Sequence, residues 1–260
     1  MSSDRCALCL EEPRELQLSH LLAAGFLRRL RGDGDGNRDP YLMSLNYVGQ
    51  TSKQAKQHLL CKECEDRLNA HGERWVIAHC YQPQDRRFPL REMTLSAKAI
   101  LSGPRGGAYD ASQVAGVDID KLVYFGASVF WRAAVCSWRI AKEVYPQLPM
   151  APHHLEELRL YLLGKTCFPT DAVSALYVSP SDEPPLSASY PERIADENPL
   201  WYRFYIPGLW FLLLTGELAE DQRNMCILRS PFHPIAFYVG GDALVQQINY
   251  NLYMENKSGK

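Results

Sequence analysis

The 260-residue sequence has no long apolar run. Its longest, 209–214, is six residues, against the roughly 20 that a bilayer-crossing helix needs, so no membrane partner is expected. The first five residues, Met1 to Arg5, lack the charged-then-apolar pattern of a signal peptide, and a reducing, cytoplasmic setting is the expectation. Charge of one sign is also scarce. With 28 Lys and Arg against 30 Asp and Glu, the formal charge is −2, which excludes a surface that embraces nucleic acid by bulk electrostatics. Nucleophile chemistry finds no Gly-x-Ser-x-Gly, and His79 and Cys80 are mere chain neighbours. The Gly-rich stretch 102–107 lacks the Gly-Lys-Ser/Thr ending of a phosphate-binding loop, and no internal repeat is present.

What the chain does have is eight cysteines, four of them in two matched pairs. Cys6-Ala7-Leu8-Cys9 and Cys61-Lys62-Glu63-Cys64 are separated by residues 10–60. Two intervening residues let one tight turn present both thiolates to the same ion, and two such turns complete the tetrahedral set that zinc prefers. A structural Zn²⁺ held by Cys6, Cys9, Cys61 and Cys64 is therefore expected. Four unrelated cysteines would not need this spacing. Thioredoxin-like redox chemistry fits less well, because neither pair follows an apolar strand and opens a helix. Cys80, Cys136, Cys167 and Cys226 stand singly, which in a reducing compartment reads as buried thiols rather than disulfides.

Between the pairs, Leu21, Leu22, Ala24, Phe26, Leu27 and Leu30 are spaced for one face of a helix, with Ser19 as its N-cap and Arg28, Arg29 and Arg31 in its last turns. The stretch 33–40 has oxygen side chains at alternate positions but not the glycine and glutamate of an EF-hand loop, and reads as a turn-rich loop. A short strand is expected at 45–48. After Cys64 a helix containing Trp75 and Ile77 should pack back on the cysteine turn.

The ordered set Cys-x-x-Cys, Ser19-His20-Leu21-Leu22, then Leu59-Leu60-Cys-x-x-Cys and a helix resembles the zinc-stabilised branch of the HNH endonuclease (ββα-metal, treble-clef) superfamily, over residues 5–75 or so. The resemblance implies a general-base role for His20 and a structural zinc set apart from the chemistry. It also implies a second, catalytic metal such as Mg²⁺, held by the residue before that histidine and the one after the last cysteine. Ser19 and Glu65 stand at those two positions, and Lys56 and Gln57 where an asparagine is usual. Glu65 is thus the candidate ligand if the head cleaves. Residues 1–75 contain eleven Lys and Arg and eleven Asp and Glu, without the basic excess that gathers phosphates. The expectation is a degenerate HNH-like head that binds nucleic acid or a protein partner, with a metal-dependent nuclease using His20 as the alternative.

Beyond the head, 76–116 reads as a connecting segment with a short helix over 93–101, and 117–260 as an α+β domain. Its most apolar stretch, 118–144, should be a central buried helix, with Arg132 and Arg139 on one face. A buried guanidinium there demands acidic or carbonyl partners. Residues 130–135 also resemble the helical region of bacterial proteins that carry such a head. A helix over 152–163 begins with His153 and His154, vicinal histidines for which no third ligand stands nearby in sequence. Runs at 172–178, 201–206, 209–214, 225–228 and 235–239 read as strands of a small antiparallel sheet, with 179–199 as a surface loop and 256–260 as a tail. The fold class expected is α+β: a small zinc-nucleated head, then a helical region with that sheet.

Overall fold

The computed structural model describes residues 5–12, 15–31, 41–44, 47–50, 53–104, 106–140 and 142–238. The loop at 33–40, the tail at 256–260 and the side chains of Arg28, Arg29 and Arg31 lie outside the described residues.

After the first cysteine turn come β1 (Leu16–His20) and α1 (Ala24–Arg31). The helix expected to start at Ser19 starts later, because residues 16–20 are drawn into a strand by long-range pairing. Ser19 is therefore a buried strand residue and not a cap. A hairpin of β2 (Tyr41–Ser44) and β3 (Tyr47–Gln50) follows. Then β4 (Lys56–Cys61) runs antiparallel to β1, with Leu16 opposite Cys61 and His20 opposite Lys56. The chain passes directly into α2 (Lys62–Leu68), a π-helical turn at Asn69–Glu73, and α3 (Arg74–His79). The expected boundary near residue 75 thus falls inside one continuous helix.

Next come α4 (Pro89–Leu95), β5 (Ala99–Gly103) and β6 (Gly106–Asp110). The segment expected as a helix over 93–101 divides, its second half pairing with β6. The central helix is α5 (Ile119–Val135), capped by Asp118, whose carboxylate accepts the Lys121 amide at 3.0 Å. It is shorter than the sequence suggests. Cys136 turns extended, and β7 (Trp138–Ile140) and β8 (Glu143–Tyr145) fold back to extend the β1–β4 sheet to four strands. Arg139 consequently leaves the face of Arg132 and pairs, exposed, opposite Lys56.

The remainder is α6 (Pro152–Leu162), β9 (Ala172–Val178), β10 (Ser187–Ser189), β11 (Glu192–Ala195), β12 (Leu200–Ile206), β13 (Leu209–Thr215), α7 (Glu220–Asn224) and β14 (Pro234–Tyr238). The strand expected at 225–228 is instead a turn after α7. A seven-stranded sheet runs in the order β11-β12-β13-β9-β14-β6-β5, and β14 lies parallel to β9, so the sheet is larger than expected and mixed. The connecting segment supplies two of its strands.

Residues 122–134 of α5 are buried all round. One side packs on the large sheet: Phe125 meets Phe211 edge-on with centroids 5.3 Å apart, and Phe130 meets Phe204 at 5.0 Å. Burial of such a ring contributes about 1.5–3 kcal/mol. The opposite side meets the π-helical turn at Gly72, where a Cβ would come within 2.9 Å of the Phe125 amide nitrogen. One set of buried side chains accordingly extends from Cys6 to Phe237. The class is α+β.

Candidate metal centre and the pocket beside it

Cys6, Cys9, Cys61 and Cys64 converge, with all four sulfurs within 4.8 Å of one another. The spacing of each pair does the local work. Leu10 adopts φ 64° and returns its amide to the Cys6 carbonyl at 2.9 Å, closing the first turn. The second pair straddles the junction of β4 with α2, so, contrary to the expectation from sequence, it does end a strand and open a helix. The amide of Ala7 then donates to the Leu59 carbonyl at 3.1 Å, and the amide of Cys61 to Cys6 Sγ at 3.3 Å, bringing the two turns together. Cys9 and Cys61 sulfurs are 4.0 Å apart, close to the roughly 3.8 Å edge of a tetrahedron with 2.3 Å metal–sulfur bonds. Arg159 of α6 donates to the Leu8 carbonyl at 2.7 Å and ties the knuckle to the rest of the chain.

The electrostatics suit a cation. A hydrogen bond with Cys64 holds the Cys6 thiol down at about 4, with the backbone amides around it helping against burial. The same bond, together with burial, pushes the Cys64 thiol far up, and burial raises Cys61 to about 11. The bare cluster stabilises one thiolate and resists the next. A bound divalent ion removes that resistance, so this set can hold a metal ion. No disulfide links the eight cysteines.

His20 lies at the other end of β1, four residues or about 13 Å along the strand from Leu16. There it lines a pocket of about 240 Å³ with Ala23, Ala24, Glu65, Asp66, Asn69, Glu73 and Arg132. His20, the candidate base, and Glu65, the candidate metal ligand, both line this pocket. Glu65, Asn69 and Glu73 fall four residues apart along the helix and so project to one side. Asn69 and Glu73 escaped the sequence reading, although their spacing was the signal that could have found them. Arg132, the arginine whose burial demands a partner, also reaches this pocket from α5, which no local pattern in the sequence indicates.

All three carboxylates are already committed, Asp66 to the Lys62 ammonium at 2.6 Å. Glu65 accepts a hydrogen bond from the Ser19 hydroxyl. Burial pushes its carboxyl above the ordinary range, Arg132 and Ser19 oppose the shift, and the charge of Glu73 reinforces it. Glu73 accepts from Arg132 Nη2 at 2.6 Å, while Nη1 of the same guanidinium donates to the His20 carbonyl at 2.9 Å. The pocket thus sets three carboxylates against the Arg132 guanidinium, with the Lys62 ammonium bonded to Asp66. Among the described residues, two groups of three or more metal-ligating side chains converge: the four cysteines, and His153 with His154 and Asp171. His20 and Glu65 belong to neither. The vicinal histidines do have a third partner, Asp171, which corrects the reading from sequence.

Comparison of the chain with family models, with curated proteins and with solved structures returned no match.

Proposed function

We propose that the N-terminal part of the chain is a zinc-stabilised, HNH-like head that works as a binding module, with a protein partner presenting a cationic group, rather than as a nuclease. A set of four sulfur ligands at tetrahedral spacing favours Zn²⁺ over harder ions. The strand–strand–helix order of β1, β4 and α2, with His20 closing β1, supports the HNH-like reading.

The observation that carries the binding role is the charge of the pocket beside His20. Glu65, Asp66 and Glu73 still outnumber the Arg132 guanidinium and the Lys62 ammonium that pairs with Asp66, and this balance disfavours a phosphodiester and favours a lysine or arginine side chain. Nor do these carboxylates close into a three-ligand cation site. A second reading, the metal-dependent nuclease with His20 as base, is favoured by one fact: His20 and Glu65 line the same pocket.

The test incubates the zinc-loaded protein with plasmid, single-stranded DNA and RNA in Mg²⁺, Mn²⁺ and Ni²⁺, beside His20→Ala. In parallel, a fluorescent lysine-rich peptide and an oligonucleotide are titrated against wild type and Asp66→Asn. The expected outcome is no cleavage above the His20→Ala background, and peptide binding that weakens with salt and with loss of Asp66. Cleavage abolished by His20→Ala, with zinc content intact, would establish the nuclease. Preference for the oligonucleotide would overturn the assignment of the partner.

A further inference from the structure

We propose that His153, His154 and Asp171 form a second metal site, which takes a late first-row divalent ion such as Zn²⁺ or Ni²⁺ and keeps a coordination position open to solvent. Pro152 starts α6, so the two histidines occupy its first turn. Adjacent residues on a helix normally diverge. Here the rings lie with centroids 3.9 Å apart, tilted 43° to each other, and both turn to the same oxygen. His154 Nε2 is 2.8 Å from Asp171 Oδ2, and His153 Nε2 is 3.9 Å from it. A tetrahedral ion with bonds of 2.0–2.1 Å spaces its ligand atoms about 3.3 Å apart. The two observed separations straddle that value, so an ion would need only small side-chain adjustments.

A second observation points the same way. Asp171 Oδ1 is buried and has no hydrogen-bond partner. A simple His–Asp pair through Oδ2 would leave Oδ1 out of water with nothing to compensate it, whereas a cation that reaches both carboxylate oxygens supplies the compensation. The exposure is graded as a metal site requires. The His154 side chain is 6% exposed, that of Asp171 40% and that of His153 64%. The buried ring is fixed in place, and the exposed one admits the ion and leaves its remaining position facing solvent. Backbone bonding holds the carboxylate's segment, since the Gly216 amide donates to the Asp171 carbonyl at 3.1 Å. The positive end of α6 works against a cation, but weakly beside three direct bonds. Two imidazoles and one carboxylate suit zinc, nickel or copper better than magnesium or calcium, which prefer oxygen.

The experiment titrates Ni²⁺ alone into the full-length, zinc-loaded protein by equilibrium dialysis, with zinc and nickel both counted in the dialysed sample. Wild type should retain its cysteine-held zinc and gain a nickel ion. His153→Ala removes an exposed ring that the core does not use, and it should fold normally. Both this variant and Asp171→Asn should weaken nickel binding by more than ~100-fold, beyond the loss an outer-sphere partner causes. Failure of wild type to bind nickel while zinc is retained would overturn the proposal. So would binding that survives in the combined His153→Ala, Asp171→Asn protein. Absence of cysteine-held zinc would instead count against the proposed head, and the two variants would still read this site separately.

Discussion

Arg132 and Glu73 meet in the interior with Nη2 2.6 Å from Oε1, the arginine side chain 1% exposed and the glutamate 11%. The same guanidinium donates through Nε to the Ser128 carbonyl at 3.3 Å and through Nη1 to the His20 carbonyl. One side chain on α5 thereby fixes the helix that follows the second cysteine pair and the end of the strand that carries His20. It forms one wall of the pocket without facing solvent.

Removing one partner of this pair should be costly. Arg132→Met leaves Glu73 buried without its counter-charge and is expected to lower stability by about 3–5 kcal/mol. Denaturant titration measures the loss. Glu73→Gln added to Arg132→Met should cost less than the two single changes summed, because the uncompensated charge disappears with it. Strict additivity would show that the ion pair is not what holds α5 to the head.

Metal removal should unfold the head. The 51 residues from 10 to 60 are closed by the cysteine set, and a structural zinc bound at neutral pH contributes on the order of 10 kcal/mol. Metal analysis should find one zinc per chain held by these thiolates. A strong chelator, or Cys9→Ser, should then lower the melting temperature markedly, while Cys167→Ser, at an exposed position, should not. An unchanged melting curve after demetallation would contradict a structural role.

Gly72 is the close-approach point between the head and α5. An alanine Cβ would sit 2.9 Å from the Phe125 nitrogen and 3.0 Å from its Cα. Backbone atoms cannot swing aside as a side chain does. Gly72→Ala is expected to cost roughly 1–3 kcal/mol despite the better helix propensity of alanine, and equilibrium unfolding reads the result directly.

The start of α5 carries a pH signature. Burial draws the Asp118 carboxyl up, but the Lys121 ammonium and amide outweigh it and hold the group below its ordinary value of 3.8. A depressed folded value means stability that is present above pH 3.8 and is lost as pH falls through the folded value. Asp118→Ala should cost about 0.5–2 kcal/mol at neutral pH. The stability gap between wild type and Asp118→Asn should narrow as the solution is acidified below that range. A gap independent of pH would mean that the carboxylate's charge contributes nothing.

The sequence by itself determined what depends on neighbours a few residues apart. Cys6 with Cys9 and Cys61 with Cys64 were legible as ligand turns because a two-residue spacer is a local constraint. The apolar run of α5, the start of α6, and β9, β12, β13 and β14 were legible because residue periodicity reports burial directly. Tertiary structure alone decided what depends on partners far along the chain. Whether Ser19 and His20 open a helix or end a strand turned on pairing with residues 56–57, since a short apolar run suits either state. The end of α5 at Cys136, and so the separation of Arg139 from Arg132, turned on β7 finding β4. The size of the large sheet rested on β5, β6 and the parallel β14–β9 contact. Glu73 reaches Arg132 across 59 residues and Asp171 reaches His154 across 17. No local pattern announces such meetings, because a buried charge or a metal-binding imidazole specifies the chemistry of its partner but not its position in the chain.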